Sequence, residues 1–276
     1  MHADRGKQQL ATRVRFRLKQ PGYMTSSIHW LEPHQAFPAV ETAWGEDSAL
    51  PGLLAAGGTL DAEHLRLAYH QGIFPWFSAG QPILWWSPDP RMVLQVADFH
   101  LRRSLRKTIQ KFSQSPSCEI RIDTAFTQVM GHCASTPRDG QNGTWILPNI
   151  VDAYTELHTQ GMAHSVETWV NGELVGGLYC VAIGKAVFGE SMFSLRADAS
   201  KIALSALVAL CRAHQVPQID CQQATPHLAF MGAQEIPRST FLHTVHRAIK
   251  EPSFPWQFSD DLWQQLLAAS LQGAEP

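Results

Sequence analysis

Several groups in this chain have the type and spacing for chemistry, and most fail on their neighbours. Ser191 lies in GESMF, which opens like a nucleophile elbow, but Phe193 stands where the second glycine of that strained turn must be. Ser104 and Lys107 have the spacing of S-x-x-K without its companion motifs. His243 and His246 lie three apart with no third ligand to complete a site, so no metal is expected. Asp220 and Gln222 are a carboxylate and a carboxamide two residues apart. They alternate in QIDCQ, and on a strand both side chains project from one face. A carboxylate and a carboxamide held that way can handle a proton, or can tie two strands together.

Two further clusters point to binding. Arg102, Arg103, Arg106, Lys107 and Lys111 crowd one stretch with no acid among them, and a face of that kind either meets phosphates or is simply solvated. The stretch from Gly72 to Val93 is dense in aromatics and carries Pro75, Pro82, Pro88 and Pro90. Proline fixes φ and pushes the preceding residue into extended backbone, so a rigid, folded-back loop is expected. Bulky rings on such a loop make a core plug or the wall of a binding site.

The elements that must position these groups can be read in chain order. Residues 28–60 are loop-rich, with Gly52, Gly57 and Gly58 marking turns. Asp61 caps a helix that stops at Gly72. A strand over Met92–Val96 precedes a helix capped by Asp98, in which Leu101, Leu105 and Ile109 recur every four positions. Cys118–Ile122 reads as a strand, followed by helices near Thr124–Cys133 and Asn149–Gln160 with a flexible turn, Ser135–Trp145, between them. HSVETWV and ELVGGLYCVAI flank Asn171-Gly172, the strongest short hairpin signal. AVFGESMF adds a third antiparallel strand. Asp198 then caps a helix to His214, QIDCQ is a strand, and Thr225-Pro226 opens a short helix that Gly232 closes. Helices near Thr240–Ile249 and Leu262–Leu271 finish the chain.

The length of 276 residues, with 45% hydrophobic and 17% charged, makes a globular protein of one large domain or two small ones. A net charge of −2 gives no global attraction to nucleic acid, so such binding needs a local patch. The five cysteines, Cys118, Cys133, Cys180, Cys211 and Cys221, form no C-x-x-C pair, which argues for free thiols in a reducing, cytoplasmic compartment. The first 23 residues hold six cations against Asp4 and no apolar core of a signal peptide. Residues 1–27 are therefore expected to be a disordered basic extension, 28–112 an N-terminal domain with the aromatic loop and basic helix, and 113–276 a catalytic domain with C-terminal helices. No apolar run is long enough to span a membrane. A monomer is expected.

From Cys118 the order strand, two helices, three antiparallel strands, helix, strand, helix resembles the core of the N-acetyltransferase (GNAT) fold. The fold class is therefore α/β (α+β) with a GNAT-like acyltransferase core. An acyl-CoA enzyme of that fold grips pyrophosphate with a glycine-containing loop, because only glycine lets backbone amides approach so closely. The matching segment here, SLRADASKIA, has no glycine. No cofactor is expected.

GIFPWF, ILWWSPDPR, GTWI, ELVGGLYCVAIG, FGESMFS, ASK, IDCQ and EIPR, in this order and spacing, resemble the leucyl/phenylalanyl-tRNA–protein transferase family from Phe37 to about Arg247. The chain departs from the family in its basic extension, in a longer loop before GTWI, and in QATPHLAFMG, where many members carry an Asn-rich turn. The resemblance implies transfer of Leu or Phe, and less readily Met, from aminoacyl-tRNA to the N-terminal Arg or Lys of proteins, marking them for degradation by the N-end rule. It implies that Asp220 receives the amine proton, directly or through Gln222, and that Glu190 helps hold the cationic acceptor. It places Leu178, Met192, Leu204, Leu207 and Ile219 around the side-chain pocket, sets Trp76 and Trp145 against the tRNA's adenosine end, and fits the five cations to the acceptor stem. An acyl-CoA N-acetyltransferase and a non-catalytic tRNA- or peptide-binding protein are the competing readings.

Overall fold

A computed structural model describes residues 28–136 and 144–272. The basic extension, and residues 137–143 of the turn expected over Ser135–Trp145, lie outside these. Residues 28–60, read as loop-rich, contain β1 (His29–Leu31) and β2 (Leu53–Gly57). β2 reads LLAAG and is almost wholly buried, so it lacks the alternation that marks a half-exposed strand. After α1 (Ala62–His70) the aromatic stretch forms β3 (Phe74–Pro75) and β4 (Leu84–Trp86), which complete a small sheet in the order β1-β2-β4-β3. The expected loop is therefore partly sheet; Pro75 ends β3, and Pro82, Pro88 and Pro90 lie outside the strands, where a missing donor is tolerated.

The second sheet has seven strands. β5 (Arg91–Gln95), α2 (Arg103–Ser113), β6 (Cys118–Ile122), α3 (Phe126–Ser135) and α4 (Pro148–Thr159) lead to the hairpin strands β7 (Ala163–Val170) and β8 (Glu173–Ile183). β9 (Ala186–Ser194), α5 (Ala199–Ala213), β10 (Gln218–Gln222), α6 (Pro226–Phe230), β11 (Gln234–Ile236), α7 (Arg238–Ala248) and α8 (Asp260–Gln272) follow. The sheet order is β11-β5-β10-β9-β8-β7-β6. β5, from the N-terminal side of the boundary expected at 112, is thus hydrogen-bonded between β11 and β10. Among the described residues of this sheet only β9 and β10 are parallel, and α5 supplies the crossover that such a pair requires.

The hairpin turn is as the dipeptide predicts, with Asn171 at φ 54° and Gly172 at φ 74°. Asp61 accepts from His64 N–H at 2.7 Å, and Thr225 caps α6. Asp98 does not cap α2. It lies in a 3-10 turn and Arg102 holds the N-cap position without a capping side chain. Asp198 occupies the N-cap of α5 in a left-handed conformation, and its carboxylate pairs with Lys201 rather than with the backbone.

Alternation along the strands splits the apolar residues between two cores. Tyr179 and Val181 of β8 face a core shared with α1, α3, α4, α7 and the small sheet, whereas Leu178, Cys180 and Ala182 face one built with α2, α5 and α8. α5 is buried nearly all round, as a helix held between a sheet and α8 must be. Among the described residues, no helix is long and apolar enough to cross a membrane.

Candidate active site

The parallel pair β9–β10 is hydrogen-bonded at Ile219 with Val187 and at Asp220 with Phe188. Just beyond, both strands lose their regular register with their other neighbours. In β9 the pairing with β8 slips so that Cys180 faces Gly189 and Tyr179 faces Ser191, leaving Glu190 as the extra residue of a bulge. In β10 the slip against β5 falls between Asp220 and Gln222, and Gln222 takes φ 62°. Bulges re-aim side chains, and here they turn a carboxylate and a carboxamide toward each other: Gln222 Nε2 donates to Glu190 Oε1 at 2.9 Å.

Glu190 is ringed by donors. The Tyr69 hydroxyl donates to Oε1 at 2.7 Å and the Tyr154 hydroxyl to Oε2 at 3.3 Å, while the two hydroxyls meet at 2.5 Å. Burial is the dominant effect on this carboxyl and raises it from 4.5 to about 7; nearby Asp220 pushes it the same way, and the three hydrogen bonds pull it back. Both phenols are raised well above their usual range, by burial first and then by Glu190. They are neutral donors to a carboxyl that changes charge near neutral pH.

Asp220 is held differently. It is 1% exposed and accepts from Arg91 Nε at 2.8 Å and Nη2 at 2.5 Å, with Arg91 itself fully buried. The Arg91 guanidinium lies over the rings of Phe74 and Phe241, 4.7 Å from each centroid. Asp220 Oδ1 also accepts from the Gln222 backbone N–H at 2.9 Å. The carboxylate therefore meets the Gln222 main chain, and the Gln222 side chain goes to Glu190; no side-chain relay joins Asp220 to Gln222. A buried, doubly bonded ion pair fixes position well.

The five expected pocket residues fall together on the other face of the sheet. Leu178, Leu204, Leu207 and Ile219 are buried in the α2–α5–α8 core, and Met192, opposite Leu178 across β8–β9, packs against it. The bulge explains how Glu190 and Met192, two apart in sequence, serve opposite faces. Trp76 and Trp145 are half-buried against the first core, on the side of Tyr69 and Tyr154. Trp76 packs edge-on to Trp86, whose Nε1 donates to the Trp76 carbonyl at 2.7 Å. Arg103, Lys107 and Lys111 line the outer side of α2, Arg106 is half-buried there, and Arg102 stands exposed at its start. These cations are not joined to the Glu190 centre by any contact described above.

Arg91, Tyr69 and Tyr154 were not singled out in the sequence. The two tyrosines read as members of apolar helix stripes, and nothing local distinguishes them from core rings. For the bulges a faint signal existed in Gly189, since glycine inside a strand often marks one. Among the described residues, no group of three or more His, Cys, Asp or Glu side chains is placed to hold a metal.

Comparison with known proteins bears on this geometry. The family description "Leucyl/phenylalanyl-tRNA protein transferase" matches residues 93–246, and its N-terminal domain matches residues 58–89. A protein of Albidiferax ferrireducens named leucyl/phenylalanyl-tRNA–protein transferase is 64% identical over 87% of this chain and 94% of its own length. Proteins of the same name from Polaromonas sp. and Leptothrix cholodnii are each 56% identical, over 90% and 83% of this chain and 97% and 90% of theirs. Among solved structures, a GCN5-related N-acetyltransferase from Kribbella flavida aligns over 62% of this chain and 59% of its own, at 10% identity and a TM-score of 0.29, too distant to argue from. On the sequence matches, which span the Glu190, Asp220 and Gln222 segments, the chain belongs to the leucyl/phenylalanyl-tRNA–protein transferase family.

Proposed function

We propose that this protein moves Leu or Phe, and less readily Met, from aminoacyl-tRNA to the N-terminal Arg or Lys of acceptor proteins in the cytoplasm, marking them for N-end-rule degradation. One observation carries the reading. Where β9 and β10 part, a carboxyl raised to about 7 meets a carboxamide, and the apolar cluster of Leu178, Met192, Leu204, Leu207 and Ile219 lies on the other face of the same sheet.

An aminoacyl ester is already activated, so no covalent nucleophile is needed. The acceptor's α-amine, with an ordinary pKa of about 7.7–8.0, is partly neutral at cytoplasmic pH. Its nitrogen attacks the ester carbonyl, the ribose oxygen leaves and takes a proton, and the amine gives one up. We assign that proton to Glu190. Asp220, which the family resemblance makes the acceptor, is committed to Arg91 and to the Gln222 main chain, so its role becomes the positioning of Gln222. The carboxamide of Gln222, whose Nε2 is held by Glu190, then offers its oxygen to orient the amine, and the charge of ionised Glu190 draws the cationic acceptor toward it.

Leu178, Met192, Leu204, Leu207 and Ile219 would receive the transferred side chain, Trp76 and Trp145 would stack on the terminal adenosine, and the α2 cations would meet acceptor-stem phosphates. The test is transfer itself. Incubated with radiolabelled Leu-tRNA, the protein should label a peptide beginning with Arg and leave the same peptide beginning with Ala unlabelled. No label in the Arg peptide rules the reading out.

A further inference from the structure

α6 connects the two regions that the proposed reaction uses. It begins four residues after Gln222 and ends where Gly232 takes φ 103°. A Cβ at Gly232 would meet the Asp98 carbonyl at 2.5 Å, and His100 N–H donates to the Met231 carbonyl at 3.0 Å. Met231 is fully buried. The end of α6 is thus docked without slack on the segment that leads into α2.

On this fixed mount stands Phe230, 51% exposed and one of four large apolar residues exposed among the described residues. The Arg102 guanidinium covers its ring at 4.9 Å from the centroid. Arg103 and Lys107 continue outward from Arg102 along α2, which contains no acid. On the other side His227 lies close enough to Lys201 for that cation, after burial, to hold its imidazole below the ordinary value. Lys201 is itself paired with Asp198. An exposed ring under a guanidinium, within a cationic strip, matches an unpaired nucleotide: a base for the ring and phosphates for the cations.

We propose that Phe230 and Arg102 form a stacking platform for an unpaired nucleotide in the 3′ segment of the donor tRNA, between its stem on α2 and its terminal adenosine at the reaction centre. The proposal rests on the tRNA-dependent reading above. It concerns a residue in the stretch where this chain departs from the family's Asn-rich turn.

The probe is uncharged tRNA carrying 2-aminopurine at successive unpaired positions of its 3′ end, because this base loses fluorescence on stacking. Binding should quench it at one internal position. Phe230→Ala should remove that quench and weaken binding by about 5- to 150-fold, the usual range for one stacked base. Phe230→Trp should retain both. Arg103→Glu should weaken binding while leaving the quench intact at saturation. An internal quench that survives Phe230→Ala, Phe230→Leu binding as tightly as the parent, or no binding of the tRNA at all would overturn the proposal. Matching thermal unfolding of the variants excludes a folding defect. Peptide labelling is read separately: transfer without an internal quench sinks the platform and spares the function, and a quench without transfer does the reverse.

Discussion

Glu190→Gln is predicted to stabilise the protein at alkaline pH while slowing it. Burial lifts the Glu190 carboxyl from 4.5 to about 7. Between those values the folded protein keeps a proton that the unfolded chain has released, so stability falls as pH rises through the window. The penalty is negligible below about pH 4 and complete above about pH 8. At 1.36 kcal/mol per unit the shift corresponds to at most about 3 kcal/mol, and partial solvent contact lowers this toward about 2. Glutamine keeps the shape, accepts from Tyr69 or Gln222 and donates to the Tyr154 oxygen, but it carries no charge. The variant should therefore gain about 2 kcal/mol on the parent protein between pH 4 and pH 8, read from urea unfolding of both at each pH. His64, His70 and His227, each held below the ordinary value chiefly by burial, cancel because both proteins contain them. A difference between the two proteins that does not change with pH would refute the reasoning.

Three further outcomes follow from the geometry. Arg91→Met strands the buried Asp220 carboxylate and should lower stability by about 3–5 kcal/mol in denaturant unfolding; adding Asp220→Leu should recover much of the loss, and a single variant as stable as the parent would contradict the pair's role. If the Leu178–Ile219 cluster takes the transferred side chain, Leu-tRNA should outpace Ile-tRNA by roughly 1–3 kcal/mol in kcat/KM, and equal rates would sink that assignment. Reversing Arg103 and Lys107 to Glu should raise the KM for tRNA and flatten its salt dependence, whereas an unchanged slope would return α2 to an ordinary solvated surface.

Much of the fold was legible where the signal is local. Asn171-Gly172 defines its turn through backbone conformations that only a few residues tolerate, and the Asp61 and Thr225 caps act within three residues. The element order from β6 to α6 follows from such signals. β2 was missed because a strand buried on both faces has no period-two pattern, and Asp98 misled because a good capping residue sits four positions too early. The site was legible in its residue types and not in its connections. Asp220 and Arg91 lie 129 positions apart, and Tyr69 and Glu190 lie 121 apart. Tyrosine buries its ring like any core residue, so a hydroxyl aimed at a distant carboxyl leaves no trace in the helix pattern. The parity switch at Glu190 depends on a bulge, which needs the partner strand to define it.

Single-turnover transfer of labelled leucine from saturating Leu-tRNA to an Arg-initiated peptide, compared between the parent protein and Glu190→Gln, tests most directly whether the Glu190–Gln222 junction is the reaction centre. The rate should fall by about 10²–10⁴-fold, the usual contribution of a general base, with tRNA affinity preserved and no loss of thermal stability. A variant that folds, binds tRNA and transfers leucine within a few-fold of the parent rate would contradict it.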